Sequence, residues 1–514
     1  MKKIFFFAAL LISAQSFAQD YEAGYLKTLV DEQADPTKGQ TQLYNLEYYS
    51  DGSLLLLSSY QTVTSEEVGL HFNENAYPGG TATKVVLSAL TNAFMAKVDT
   101  NGELIWAVPD TTYHFDLGGS VSMTTTDGGA IFAQKMRNKK GRFVTFVNVY
   151  DATSFVTASN NITASYEKTG SMTKDPNDSY AWAGLAQDEA KNVYLAGYQA
   201  DTLYPTWHDT ITMRPNNWNG DTQQKSNNCN TVILKYNAQM DYVAYTTTGN
   251  DELVYDRPVG MHYEGGKLYV AGTYKNATES GIYYARYDQD LNREAVVYHP
   301  ITGSLQFQQT KFEDGKIFVC GGLSKGSITI GEKTMATNGT MNHGLVYIID
   351  QASGEALDFD IHSAANNALN ITVAAFTTDS GYVAYNHETL NGIQMALHYD
   401  SNLNLVSTDT LGQGGGSSTI SCVGRSADGK HTALGLRART TGDYTILGET
   451  FSFSTTNWYS VIATLNAVED EEGSGIEITP SDSSARGEKI LLNGQLYIKY
   501  EGTMYDVQGR RVEY

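Results

Sequence analysis

The stretch that decides the fold runs from Lys311 to Phe359. It opens on a turn, Glu313-Asp314-Gly315. The apolar run Lys316-Ile317-Phe318-Val319-Cys320 follows and stops at Gly321-Gly322. A short second piece, Ile328-Thr329-Ile330-Gly331, precedes a third, Gly344-Leu345-Val346-Tyr347-Ile348-Ile349-Asp350. The turn Gln351-Ala352-Ser353-Gly354 then leads into Glu355-Ala356-Leu357-Asp358-Phe359. β-branched and aromatic residues bounded by Gly- and Asp-rich turns read as strands. Four short strands in about fifty residues is the size of one propeller blade.

The same pattern recurs along the chain. The first copy turns at Asp51-Gly52, runs through Ser53-Leu54-Leu55-Leu56-Leu57, and returns from Phe94–Asp99 through Asn101-Gly102 to Leu104-Ile105-Trp106. An Asn-Gly between apolar runs is a strong hairpin signal. Further copies turn at Asp127-Gly128-Gly129, near Asp188, at Glu264-Gly265-Gly266, at Asp379-Ser380-Gly381 and at Asp428-Gly429. The copy near Asp188 carries a long polar insertion from Asp201 to Asn230. Counting the opening stretch there are seven, which predicts an all-β, seven-bladed β-propeller over residues 19–467. Each blade needs its neighbours to bury both faces. The seventh copy stops after its third strand, and one strand near the N-terminus, Tyr25–Val30, is left over. The expectation is that this strand completes the last blade, removing an open sheet edge. A polar, disordered start is the alternative.

Composition agrees with an all-β chain. Of 514 residues, 48 are Gly and 35 Tyr, and only 18% are charged. The apolar fraction of 41% supports a folded core and argues against wholesale disorder. The net charge of −22 argues against nucleic acid or anionic lipid as partner, since both require cationic clusters. Three cysteines, Cys229, Cys320 and Cys422, are too few and odd in number for a disulfide framework. No CxxC or Cys/His cluster points to zinc, and neither a metal nor a cofactor is expected.

Residues 1–18 read as a signal peptide. Lys2 and Lys3 precede the apolar run Ile4–Ile12, and Ser16-Phe17-Ala18 offers small residues to a signal peptidase. No later run approaches the roughly 20 apolar residues of a membrane helix. The chain is therefore expected to be secreted or held at the outer cell surface. Residues 468–488, with Glu469-Asp470-Glu471-Glu472-Gly473 and Ser481-Asp482-Ser483-Ser484, read as a linker. Residues 489–514 carry turns at Asn493-Gly494, Glu501-Gly502 and Gln508-Gly509 and read as a short C-terminal β-hairpin tail.

Two resemblances follow from these residues. The repeats, best carried by Lys267–Gly272 and Phe94–Trp106, resemble those of exported bacterial seven-bladed β-propellers. The tail, through Met504-Tyr505-Asp506-Val507-Gln508-Gly509-Arg510-Arg511-Val512, resembles the C-terminal segments of type IX secretion cargo. That resemblance implies export machinery of the outer membrane as a partner of the tail. The tail is shorter than a full sorting domain of that kind.

The candidate chemistry is sparse. The segment around Trp106 is similar to the tryptophan motif of quinoprotein propellers, but Ala295, Ala356 and Leu405 lie in the equivalent return strands, so packing is the expected role of Trp106. The insertion holds Trp207, His208 and Trp218 among amides and carboxylates, a set suited to a sugar face and its hydroxyls. These three are the candidate ligand-binding residues; an inserted loop that packs on its own blade is the alternative. The clusters Asp175-Pro176-Asn177-Asp178 and Asn250-Asp251-Glu252 read as solvated turns rather than calcium loops. No catalytic pair is identifiable among 57 acidic residues. The first reading is a secreted or cell-surface binding scaffold for glycans or proteins. The alternatives are a carbohydrate-active enzyme with carboxylates at one mouth of the ring, and a structural component of a surface assembly.

Overall fold

Leu54-Leu55-Leu56-Leu57 shows why this sequence makes blades. All four side chains are buried, yet they point alternately to two different neighbours. Leu54 and Leu56 pack with Cys422, Ala433 and Ile462 of the last blade. Leu55 and Leu57 pack with Ala130, Phe132 and Tyr150 of the second. A strand covered on both faces reads as a continuous apolar run. Each buried Leu contributes about 1.5–3 kcal/mol.

The computed structural model describes residues 21–31, 39–62, 68–73, 84–87, 91–109, 114–115, 120–137, 143–164, 180–199, 202–206, 208–212, 229–248, 253–337, 339, 342–363, 369–389, 392–414, 418–438, 442–453, 459–467, 488–492, 495–500, 503–506 and 511–512. Every element among them is a β-strand, and residues 1–467 and 468–514 form two separate units. The signal-peptide segment, both acidic clusters, the linker, Trp207 and Trp218 lie outside the described residues.

Seven antiparallel sheets make up the first unit, each built on four blade strands and some widened by added strands, and the chain is a seven-bladed β-propeller. From the central strand outward, blade 1 is Gly39–Tyr48, Leu54–Thr62, Thr91–Val98 and Leu104–Pro109. Blade 5 is Thr302–Glu313, Lys316–Ile330, His343–Asp350 and Ala356–His362. Blades 2, 3, 4 and 6 begin on Val121–Thr124, Tyr180–Gln187, Leu253–Glu264 and Asn370–Thr378. Blade 7 is Thr419–Arg425, His431–Ala438 and Tyr459–Ala467, completed by Tyr21–Asp31. Seven hydrophobic clusters lie one at each blade–blade boundary, including blade 7 against blade 1, so the ring closes. Trp106 belongs to the boundary between blades 1 and 2, a packing role.

The repeat is phased one strand earlier than the turn-first reading places it. Ile328–Ile330 is not a second strand but the far end of Lys316–Ile330, where it pairs with Lys333–Ala336. The missing strand is Thr302–Glu313, which precedes the turn and lines the centre. Its bulge and its contact with the channel break the alternation that marks a strand in sequence.

Five of the hairpin turns joining third to fourth strands, those of blades 1, 2, 3, 4 and 6, share one device. Asp99, Asp151, Asn237, Asp288 and Asp400 each use Oδ1 to accept backbone N–H groups two and four residues on. The residue three positions on has positive φ: Gly102, Ser154, Met240, Leu291 and Leu403. The side-chain oxygen replaces a backbone partner and fixes the turn.

Long connections between second and third strands fold back onto the preceding blade. The insertion of blade 3 places Thr202–Tyr204 against Val156–Ala164, the outer strand of blade 2. In blade 7, Gly442–Ile446 pairs with Leu405–Gly414, the outer strand of blade 6. In blade 1, Val68–Asn73 pairs with Tyr21–Asp31. The closing strand is thus hydrogen-bonded on both edges, and the free edge is covered.

The second unit is an antiparallel meander of Glu488–Leu492, Gln495–Tyr500, Thr503–Asp506 and Arg511–Val512.

Candidate functional site at the centre of the ring

The central strands of the blades surround a cavity of about 880 Å³. Six of the seven carry a register shift, at Leu43/Asn45, Trp182/Gly184, Pro258/Gly260, Phe307/Thr310, Thr372/Ala374 and Ile420/Cys422. A bulge adds an unpaired residue and re-aims side chains. Tyr44, Ala183, Val259, Gln308 and Gln309, all within these shifts, line the cavity. Adjacent central strands approach closely: a Cβ at Gly184 would lie 2.7 Å from Met261 Cβ, and one at Gly260 would lie 2.8 Å from Thr310 Cβ. Only glycine fits there.

Blade 6 is set back from the centre. Residues 370–376 of its central strand are buried, because blades 5 and 7 meet in front of it. Gln309 Oε1 accepts a hydrogen bond from Val423 N at 3.0 Å. Arg425 donates to Glu313 Oε1 at 3.3 Å and to the Thr377 carbonyl at 2.5 Å. Its guanidinium stands 5.4 Å from the Phe376 ring centre, and Lys311 Nζ stands 5.8 Å from the same ring.

The charged groups divide into engaged and available. Glu313 Oε2 also accepts from Thr377 N at 2.7 Å, and Asp314 accepts from the Thr377 hydroxyl at 2.5 Å. Glu264 accepts from Gln351 Nε2 at 2.6 Å. His262 lies against Phe312 with ring centres 5.3 Å apart, and burial pushes its imidazole below its usual range. Glu47 accepts one bond, from Thr124 Oγ1 at 3.0 Å. Burial raises the Glu47 carboxyl to about 7, only partly countered by Thr124 and the Lys311 charge. Burial in turn lowers Lys311, with Glu47 opposing. Gln187 and Gln308 line the cavity and make no side-chain hydrogen bond among the described residues.

Asp314, Gln351, Ser426 and Ala427 place the cavity toward the face carrying the first-to-second and third-to-fourth strand turns. The insertion of blade 3 is a second-to-third connection and leaves the opposite face. There His208 is exposed, and its backbone N–H donates to Thr206 Oγ1 at 3.2 Å. The described part of the insertion joins the boundary between blades 2 and 3 through buried Leu203 and Ile211 rather than its own blade alone. His208 and the cavity therefore belong to different ends of the ring. Sequence reading missed Glu47, Gln308 and Lys311 because the repeat was phased from the turn onward. The polar stretch just before each turn is the signal that would find them.

Cys229, Cys320 and Cys422 are buried free thiols. Among the described residues no cluster of His, Cys, Asp and Glu is arranged to hold a metal, and no helix is long and apolar enough to cross a membrane.

No family model and no curated protein matches the chain. Solved structures do. The chain is similar to the Dos1 propeller at 10% identity and TM-score 0.41, over 87% of this chain and 95% of that one. It is similar to the β-propeller domain of the Trilobed protease from Pyrococcus furiosus at 8% identity and TM-score 0.40, over 80% and 96%. A putative 6-phosphogluconolactonase from Bacteroides uniformis is similar at 13% identity and TM-score 0.33, over 75% and 95%. Nothing about activity follows from likenesses this distant.

Proposed function

We propose that the protein is an exported binding scaffold that takes a glycan or a protein segment into the central cavity of its propeller. The observation that carries this reading is the cavity itself. About 880 Å³ is walled by central strands and lined by Gln187 and Gln308, whose amides have no partner among the described residues. That volume lies in the range of ligand pockets, and a few polar groups among apolar ones fix a ligand's orientation. The rigid ring leaves little to be ordered on binding.

A carbohydrate-active enzyme is the second reading, favoured by one observation. Glu47, held up to about 7 within the cavity, is suited to donate a proton near neutral pH. Glycoside hydrolysis requires a second carboxylate with its own role. Glu264, Glu313 and Asp314 are instead engaged by Gln351, Arg425 and Thr377, which favours binding without turnover.

A glycan and protein array, followed by release assays on every hit, separates the two. Binding without product release supports the scaffold; turnover removed by Glu47→Gln supports the enzyme. Gln308→Trp, which narrows the cavity and removes its unpartnered amide, abolishes binding on the central reading. If Trp207→Ala or Trp218→Ala abolishes it and Gln308→Trp does not, the insertion is the site. The export reading rests on residues 1–18 and the tail. Truncation after Arg486 that leaves export and surface display unchanged overturns the tail as an address.

A further inference from the structure

Among the described residues, Lys311 is the cavity-lining cation that makes no ion pair. Its ammonium makes no hydrogen bond or ion pair among the described residues and stands 5.8 Å from the centre of the Phe376 ring. The neighbouring carboxylates are taken: Glu313 by Arg425 and Thr377 N, Asp314 by the Thr377 hydroxyl. Glu47, on blade 1, lines the same cavity and lies close enough to Lys311 for each to feel the other's charge, yet no direct pair forms between them. Lys311 is half-buried and lines the cavity, so its ammonium is accessible to an anion entering from solution. Around the two lie Gln187 and Gln308, which offer amides, Asn45, whose Nδ2 is held by Ser122, and Tyr44 and Phe307, which offer aromatic faces. Amides suit hydroxyls and aromatic faces suit the apolar side of a sugar ring.

We propose that the cavity binds a carboxylate-bearing saccharide, a uronate, whose carboxylate sits between Lys311 Nζ and the Glu47 carboxyl. This rests on the reading of the central cavity as a binding site and adds the ligand's charge. A ligand carboxylate supplies Lys311 with its anion. It is accepted beside Glu47 when that carboxyl takes up a proton and donates a hydrogen bond, a change that its position at about 7 places within reach at neutral pH. The other charged groups facing the pair are His262 and Glu264 from blade 4, Glu313 and Asp314 from blade 5 and Arg425 from blade 7, with the neutral thiols of Cys320 and Cys422 nearby. The arriving negative charge favours the protonated form of both Glu47 and Lys311. Binding therefore takes up protons near neutral pH and is tighter at pH 6 than at pH 8.

Calorimetric titration of the full chain with a galacturonate tetramer, its methyl ester and cellotetraose tests this. The acidic tetramer is expected to bind at least about tenfold tighter than the ester. Lys311→Met removes that preference, whereas Lys311→Arg keeps it, with circular dichroism and melting temperature confirming that both variants fold. Buffers of different ionisation enthalpy report the proton uptake. Equal affinity for acid and ester, or a preference that survives Lys311→Met, overturns the uronate assignment. If the neutral tetramer binds as well as the acidic one and Gln308→Trp blocks both, the uronate assignment fails while the cavity remains the site. If no saccharide binds, the uronate assignment also fails, and the array with Gln308→Trp decides the cavity separately.

Discussion

Asp256→Asn tests the packing between blades 3 and 4. Asp256 is fully buried, its Oδ1 accepts from Thr231 N at 3.3 Å, and its Oδ2 has no partner among the described residues. Burial raises its carboxyl from 3.8 to about 7, only partly countered by Thr231. The folded state thus holds a proton that the unfolded chain has released, and stability falls as pH rises from about 4 to about 7. A rise of that size corresponds to about 4 kcal/mol. The amide of Asn is a neutral mimic of the protonated acid and does not titrate. Relative to the native chain, Asp256→Asn is expected to gain about 4 kcal/mol between pH 4 and pH 8. Spread over the unfolding entropy of residues 21–467, that is a relative melting-temperature gain of about 4 °C. Other groups titrate in the same range, so the readout is the difference between variant and native melts at each pH. A difference that is the same at pH 4 and pH 8 refutes a neutral buried Asp256.

Three further outcomes are expected. His387 is buried, its Nδ1 has no partner, and burial depresses its imidazole to about 4. Its stabilising effect is present above about 6.5 and lost as pH falls to about 4, about 3 kcal/mol in all; His387→Gln should flatten that acid limb in melts taken from pH 7 to 4. Gly24→Val places a Cβ 2.3 Å from Thr464 Oγ1, which accepts from Tyr25 N at 2.8 Å; a loss of about 2 kcal/mol is expected, with earlier proteolytic release of the N-terminal strand. Trp106→Ala opens the boundary of blades 1 and 2 and should cost about 3–5 kcal/mol in denaturant unfolding. Trp106→Phe should cost clearly less, because the indole N–H has no hydrogen-bond partner among the described residues.

What the sequence discloses about this fold depends on how many faces a strand buries. Leu54–Leu57 and Lys316–Cys320 are second strands, packed on both sides, and their apolar runs announce themselves. The turn residues do so too, since Asp288 or Asp400 caps its hairpin with a side chain that few other residues replace. The central strands are different. Tyr44–Glu47 and Gln308–Lys311 face the cavity on one side and are bulged, so polar residues interrupt them and they pass for loop. The candidate site was hidden for the same reason: its residues lie on the strands with the weakest local signal.

The backward-folding connections explain how such a ring holds its centre open. A propeller closed by one pair of strands relies on a single ladder, here Tyr21–Asp31 against Tyr459–Ala467. The hairpin of blade 1 adds a second ladder on the other edge of that strand, through Thr28, Leu29, Val30 and Asp31. One ladder ties the closing strand to blade 7 and the other ties it to blade 1, so the strand is held from both sides of the junction. The Lys27 ammonium adds a tie to Glu103 of blade 1 at 2.9 Å. Because Glu103 is largely exposed, that pair is worth little by itself. The closure is therefore held by backbone ladders and the Leu26 side of the core rather than by charge. A central cavity lined by residues from separate blades keeps its shape only while the blades keep their spacing. The geometry that sets Glu47 of blade 1 near Lys311 of blade 5 is thus maintained at the rim, by connections that touch neither residue.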